Sequence, residues 1–278
     1  MPARLSSWPV LFLVMLVSIL AAWLLLSFMP PVNNLSGYKG FDYLGATMLL
    51  FFIVMLLVGI NLSYYYLLGA GGLLVVLAWW FNKTPAPFIE VKLLKNLVFV
   101  RAIMVGLIIN VVLLGGLFLL PLLLANSYQL SSLKVGLIFF GASIFSSLAS
   151  LFVGRLLPNY GNLTLIYVGA TLMVLSLFLL YFFTGVAIIG LATGLLFISY
   201  STIQVALNSL VPLTLGNKVG LGLGVYNLAN FIGMALGPAI SSKILDATHS
   251  YGLAFLFSLI LVGLIFPLLF RLTSPKNQ

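Results

Sequence analysis

An all-α integral membrane protein of about nine crossings is the fold class this sequence predicts, on three observations. First, 63% of the 278 residues are apolar and only 5% are charged, against roughly 25% charged in an ordinary soluble domain. Twelve basic and three acidic side chains cannot cover the surface of a soluble fold this size, so lipid is the solvent for most of the chain. Second, the apolar residues fall in runs of about 20, the length a helix needs to cross a bilayer. Third, the runs lack the alternating polarity of a barrel strand, and an open strand leaves backbone groups unpaired in lipid.

Taken in order, the spans are Trp8–Met29, Asp42–Ile60, Tyr64–Phe81, Ala102–Leu124, Val135–Leu157, Leu163–Phe183, Val186–Leu210, Val219–Leu245 and Tyr251–Phe270. Breakers separate them: Pro30-Pro31 with Asn33-Asn34, Asn61–Ser63, Pro158-Asn159 with Gly161-Asn162, Pro212–Asn217, and Asp246–Gly252. The sixth and seventh are parted only by Thr184-Gly185, a tight turn. Met1–Met29 has an apolar run longer than a signal-peptide core and no clean small-residue cleavage motif, and is read as a retained span.

Between the third and fourth spans, residues 83–101 carry Lys83, Glu90, Lys92, Lys95 and Arg101, a concentration of charge found nowhere else in the chain. With this segment in the cytoplasm, Lys39, Lys83, Lys92, Lys95, Arg101, Arg155, Lys218, Arg271 and Lys276 fall inside, and Arg4, Lys134 and Lys243 outside. The positive-inside rule therefore predicts a multi-pass cell-membrane protein with its N-terminus outside and its C-terminus cytoplasmic. The net charge of +9 is spread singly between apolar blocks, which predicts orientation charges and no nucleic-acid partner. Pro85 and Pro87 are expected to start a short amphipathic elbow helix over 83–98. In it Ile89, Val91, Leu93, Leu94, Leu97 and Val98 rest in the headgroup boundary, and Lys92, Lys95 and Asn96 face phosphates and water.

The elbow also carries a family resemblance. The run Pro87-Phe88-Ile89-Glu90-Val91-Lys92-Leu93-Leu94-Lys95-Asn96, followed by Phe99, resembles the segment before the ninth span of the fourteen-span drug:proton antiporters of the major facilitator superfamily. The Trp8 run, Phe41-Asp42-Tyr43-Leu44-Gly45, Gln129-Leu130-Ser131, Gly154-Arg155-Leu156-Leu157 and the Gly220–Gly224 block fall in the matching order. The resemblance implies that residues 1–30 are the last helix of an otherwise missing N-terminal bundle. It further implies that 31–82 are a central two-helix insert, that 83–98 are the cytoplasmic elbow, and that 99–278 are a six-helix C-terminal bundle with a short tail. It implies a small hydrophobic or amphipathic drug-like substrate, protons as the coupling ion, the bilayer as surroundings and a separate N-terminal bundle as partner. The function expected is the C-terminal part of a proton-coupled drug exporter of tetracycline or multidrug type working by alternating access. The alternative is a truncated remnant, or a membrane subunit that needs a separate N-terminal partner.

Enzymatic chemistry is not expected. One histidine and no cysteine cannot build a metal site or a triad, no HExxH, GxSxG or Walker loop occurs, and no cofactor is implied. Gly220-Leu221-Gly222-Leu223-Gly224 lacks the preceding strand that a nucleotide loop needs. A proton carrier needs an ionisable group inside the bundle, yet Asp42, Glu90 and Asp246 all sit at or beyond span ends. Asp42 and Glu90 are expected near helix starts, where a carboxylate complements the dipole. Asp246 is expected to pair with Lys243.

Two sets of residues within the spans remain. Gly224, Gly233, Gly237 and Pro238 resemble the antiporter signature G-x8-G-x3-G-P-x2-G-G, with Ser241-Ser242 in place of the last glycines. Residues 233, 237 and 241 share a helix face, which serves either as contact between two bundles or as ordinary close helix packing. The amides and a phenol inside spans are Asn110, Tyr200, Gln204, Asn208, Asn227 and Asn230. Amides are costly in lipid unless bonded, so these either bond between helices or line a drug-sized cavity, with Tyr200, Gln204 and Asn208 forming one stripe. The 154–161 segment resembles the family's G-x-L-x-D-R-x-G loop, but Pro158 and Asn159 stand where Asp and Arg are expected.

Overall fold

The computed structural model describes residues 19, 21–25, 27–28 and 42–270, apart from 85, 86, 88 and 92. It divides into two units, Met1–Gly40 and Phe41–Gln278. The described residues of the first are helical, and most of the Trp8–Met29 span lies outside the described residues. The second unit holds helices α1 (Tyr43–Asn61), α2 (Tyr65–Lys83), α3 (Leu97–Asn126), α4 (Ser132–Tyr160), α5 (Asn162–Phe182), α6 (Val186–Leu213), α7 (Val219–Thr248), α8 (Tyr251–Gly263) and α9 (Ile265–Phe270). Among the described residues there are eight segments long and apolar enough to cross a membrane, with α8 and α9 forming the eighth. The protein is an all-helical, multi-pass membrane bundle.

The bundle is built around α3. In its most apolar stretch 72% of residues are buried, against 11% in α1, α2 and α4, so α3 is the axis and those three lie at the margin. Its packing partners are α7, α6 and α8; α4 lies along α6, and α5 lies between α6 and α8. Phe99, Ile109, Leu119, Leu120 and Leu124 of α3, Ile203 of α6 and Tyr226 of α7 are among its fully enclosed side chains. Between helices the serines bond across to backbone. Ser146 Oγ of α4 donates to the Phe197 carbonyl at 3.1 Å and Ser201 Oγ of α6 to the Ser146 carbonyl at 3.2 Å, while Ser176 Oγ of α5 donates to the Ala192 carbonyl at 2.7 Å. Lipid offers these hydroxyls no partner, which is why they turn inward. The α1–α2 hairpin pairs with itself and meets the bundle through α1 on α7.

Helix ends follow the breakers, with shifts. Asp42 caps α1 by accepting from Gly45 N at 2.8 Å and also receives the Trp80 indole N–H at 3.2 Å. The Thr184-Gly185 turn holds because Gly185 takes φ +122, a region open to glycine, and its N–H donates to Tyr128 Oη at 3.0 Å. Residues 154–160 are not a loop. They are the last turns of α4, which runs through Pro158, and Gly161 alone (φ +79) links α4 to α5. Asp246 likewise lies inside α7 and is exposed. It does not pair with Lys243, whose ammonium sits 5.9 Å from the Tyr64 ring centre.

The elbow departs most from expectation. Helix α2 runs to Lys83, and the described residues between it and α3 form a single 3-10 turn, Leu93–Lys95, in place of a helix over 83–98. Leu93 is buried, and Ile89 packs on the core, so the segment folds onto the bundle. Glu90 forms an ion pair with Lys218, just before α7. Asn96 caps α3, its Oδ1 accepting from Val98 N at 3.0 Å and Phe99 N at 3.3 Å, while its Nδ2 donates to the Thr214 carbonyl at 2.9 Å. Pro87 is half-buried and Lys95 exposed; Lys92 lies outside the described residues.

Candidate functional site

Three helices each bring a pair of residues, spaced i and i+4, to one place inside the bundle. These are Gly106 and Asn110 of α3, Tyr200 and Gln204 of α6, and Tyr226 and Asn230 of α7. Spacing of four keeps each pair on one helix face. Asn110 is fully buried, and both ends of its amide are bonded: its Nδ2 donates to the Gly106 carbonyl at 2.8 Å, and its Oδ1 accepts from Tyr200 Oη at 3.1 Å. The Tyr226 side chain is completely enclosed, and its hydroxyl faces the Asn230 and Gln204 side chains and the Tyr200 hydroxyl. Tyr226 Oη, Asn230 Oδ1 and Gln204 Oε1 are all buried without a hydrogen-bond partner in the protein. The Asn230 and Gln204 amides lie in hydrogen-bonding reach of the Tyr226 hydroxyl, and turning either carboxamide about its last bond exchanges acceptor for donor, so these side chains form one polar cluster inside the bundle.

Gly106 makes the approach possible. A Cβ there would lie 2.5 Å from Asn230 Oδ1 and 2.9 Å from a Tyr226 ring carbon. The same logic continues along the α3–α7 seam. A Cβ at Gly233 would come within 2.6 Å of the Leu107 carbonyl oxygen, and one at Gly237 within 2.5 Å of the Val111 oxygen and 2.8 Å of Gly115 N. Ser241, also buried, completes the row against Gly115. The 233/237/241 face is thus a contact between α7 and α3 within one bundle. Pro238 lies next to it inside α7, and Gly224 points to open space.

Of the six polar residues singled out from the sequence, the structure gathers Asn110, Tyr200, Gln204 and Asn230. Asn208 and Asn227 are exposed on the bundle surface instead. A helix advances about 100° per residue, so two steps of four rotate Asn208 about 80° away from Tyr200, and Asn227 lies about 100° from Tyr226. Tyr226 was not singled out. Its signal was present: Tyr226 and Asn230 repeat the Tyr200–Gln204 spacing on the next helix.

Two cavities lie elsewhere. One, of about 420 Å³, is apolar and lies between α4 and α6, bordered by Gly141, Phe145, Gly190 and Gly194. The other, of about 720 Å³, lies at the α4–α5 turn beside Asn159, Asn162, Thr164 and Ser209. Among the described residues no cluster of His, Cys, Asp or Glu is suited to a metal ion.

The described residues thus form a multi-pass helical bundle with small-residue seams and an uncharged polar cluster enclosed among its helices. Residues 117–278 match the model of the Major Facilitator Superfamily, and the chain belongs to that family. Among curated relatives it is 30% identical over 251 residues to the uncharacterized MFS-type transporter YwoD of Bacillus subtilis, covering 84% of this chain and 56% of that protein. It is 27% identical over 169 residues to the lincomycin resistance protein LmrB of Listeria innocua, covering 58% of this chain and 35% of that protein. The chain spans little more than half the length of the first and about a third of the second.

Proposed function

We propose that this chain is the C-terminal part of a drug exporter of the fourteen-span type, and that the α3–α6–α7 cluster lines its substrate cavity. The observation that carries this reading is the cluster of uncharged polar side chains, Asn110, Tyr200, Gln204, Tyr226 and Asn230, enclosed among membrane-spanning helices. The similarity to the lincomycin resistance protein LmrB supports a drug-like, small hydrophobic or amphipathic substrate. In this reading residues 1–30 end an N-terminal bundle, 31–82 are the central pair, 83–98 are the elbow, and 99–278 are the second bundle. Substrate sits between the bundles, which rock about it. Asn208 and Asn227 then face the water-filled space between bundles, since an amide facing lipid would be unbonded. The tight α3–α7 seam makes the two helices move as one body.

Charge placement supports a cytoplasmic position for the α2–α3 link and the C-terminus, and an external N-terminus. Proton coupling in this reading draws on an acid of the N-terminal bundle, because Asp42 and Asp246 lie at helix ends and Glu90 lies in the α2–α3 link, paired with Lys218. The test is drug accumulation, lincomycin included, in cells producing the chain with and without the N-terminal half of a relative. Active export that Gln204→Leu alters in substrate profile supports the assignment; an unchanged profile refutes it.

A further inference from the structure

Three glycines stand where no neighbour requires them. Gly141 of α4 and Gly190 and Gly194 of α6 line the apolar cavity between those helices. A Cβ added at Gly141 or Gly194 would meet nothing within 4 Å, and one at Gly190 only an Ile138 methyl at 3.9 Å. Gly106, Gly233 and Gly237 are pressed against a neighbouring helix. The three in the cavity are not, and each costs about 1 kcal/mol of helix propensity against alanine. What their bare backbone provides is a groove of about 420 Å³ between the exposed side chains of Leu137, Phe145 and Leu191, with no polar side chain in its lining. It is separate from the polar cluster. Tyr200 follows Ile198, a lining residue, by two positions, about 200° round α6, so cluster and groove occupy opposite sides of that helix.

The groove has the length of one leaflet. It runs along residues 137–145 of α4 and 190–198 of α6, about 12 Å at ~1.5 Å per residue, against ~15 Å for half of a ~30 Å hydrocarbon core. Both stretches lie in the first halves of helices that enter the membrane from the same side, because α5 returns between them. Past them the seam shuts: Ser146 Oγ donates to the Phe197 carbonyl and Ser201 Oγ to the Ser146 carbonyl. A crossing helix would need a seam open through both leaflets, whereas an acyl chain needs only one. At the open end stands Lys134, in the first turn of α4 and one turn before Leu137 and Ile138 on the same face. It is exposed and has no ion pair among the described residues. A cation in the first turn opposes the helix dipole, and Lys134 falls outside under the charge pattern that puts most basic residues inside. Neither local structure nor topology accounts for it, but a phosphate at the bilayer surface would. We propose that this groove holds one acyl chain of an anionic phospholipid of the outer leaflet, with the lipid phosphate against Lys134. The site requires only that these helices cross a bilayer, whatever the chain transports.

The experiment titrates the purified chain, in detergent, with phosphatidylglycerol or phosphatidylcholine of identical acyl chains and counts retained lipid by native mass spectrometry. Phosphatidylglycerol is expected to bind about fivefold more tightly, the attraction of one lysine to an anionic membrane surface. Lys134→Gln should erase that preference and leave phosphatidylcholine binding unchanged. Gly194→Leu and Gly190→Leu fill the groove, where nothing blocks a new Cβ, and each should weaken both lipids severalfold. Gly154→Leu, equally open but at the other end of α4, should weaken neither. Thermal unfolding of each variant shows that it is folded. A preference that survives Lys134→Gln, equal binding of the two lipids, or binding that both groove-filling variants leave intact overturns the proposal. So does full competition by millimolar inorganic phosphate, which would assign Lys134 to a free anion. So does a dimer of the chain that Gly194→Leu abolishes, which would assign the groove to a second copy.

Discussion

Substituting Gly237 and Gly224 by alanine, on the same helix, isolates the energetic weight of the α3–α7 seam. At Gly237 the new Cβ would stand 2.5 Å from the Val111 carbonyl oxygen and 2.8 Å from Gly115 N. Both obstacles are backbone, so no side chain can rotate away, and the helices must part by about half an ångström or more. At Gly224 the new Cβ meets nothing within 4 Å. Alanine gains about 1 kcal/mol over glycine in helix propensity, but that gain is common to both variants and drops out of their difference. What remains is the overpacking cost, ~1–3 kcal/mol for an added methylene in a tight interior. An unyielding backbone places Gly237 toward the upper end. On the scale of a 150–250-residue domain each kcal/mol moves the midpoint by about 2–4 °C, so Gly237→Ala should melt roughly 2–12 °C below Gly224→Ala. The assay is thermal unfolding of the two purified variants in the same detergent, followed by loss of the monodisperse peak. Equal midpoints, or a more stable Gly237→Ala, would refute the reasoning.

Three other outcomes follow from single contacts. Tyr200→Phe strands the fully buried Asn110 Oδ1 and should cost about 1–3 kcal/mol, whereas Tyr226→Phe should be neutral or stabilising; thermal unfolding of the pair checks both signs. Asn96→Ala removes the α3 cap and the bond to the Thr214 carbonyl, at about 1–2 kcal/mol. Hydrogen exchange in the first turn of α3 should quicken while the helix centre stays protected. Glu90→Gln breaks the pair with Lys218, whose side chains are 30% and 48% exposed, and should cost under ~1 kcal/mol. That loss should vanish at high salt, which unfolding at two ionic strengths measures.

The spans were legible because lipid forces apolar runs of fixed length, and the described helices sit where those runs sit. Their ends were less legible. Pro158 and Asp246 read as breakers, yet α4 and α7 continue past them, since a proline in a helix's last turn disturbs little that follows it and a polar residue near the water needs no turn. The elbow misled for a related reason. Its apolar spacing fits a helix on a membrane surface equally well as a strap on a protein, and the partners that decide, Lys218 and Thr214, are more than a hundred residues away. The polar cluster was half legible: amides stand out in an apolar chain, while Tyr226 is one of twelve tyrosines and attracts no notice alone. Reading amides by i, i+4, i+8 also carried the stripe too far, because helical drift accumulates.

The single-residue link at Gly161 governs how α4 and α5 are made. Two long helices with one residue between them are joined through the exposed last turns of α4, which carry Arg155 and Asn159, and have no separate loop. So short a connection favours insertion of the two as a hairpin. A lesion that weakens α5 should therefore strand α4 as well, and glycosylation or thiol-labelling tags placed after Tyr128 and before Val186 should report the two helices crossing or failing as one. The chain has no native cysteine, so each introduced thiol is the sole reporter of its position.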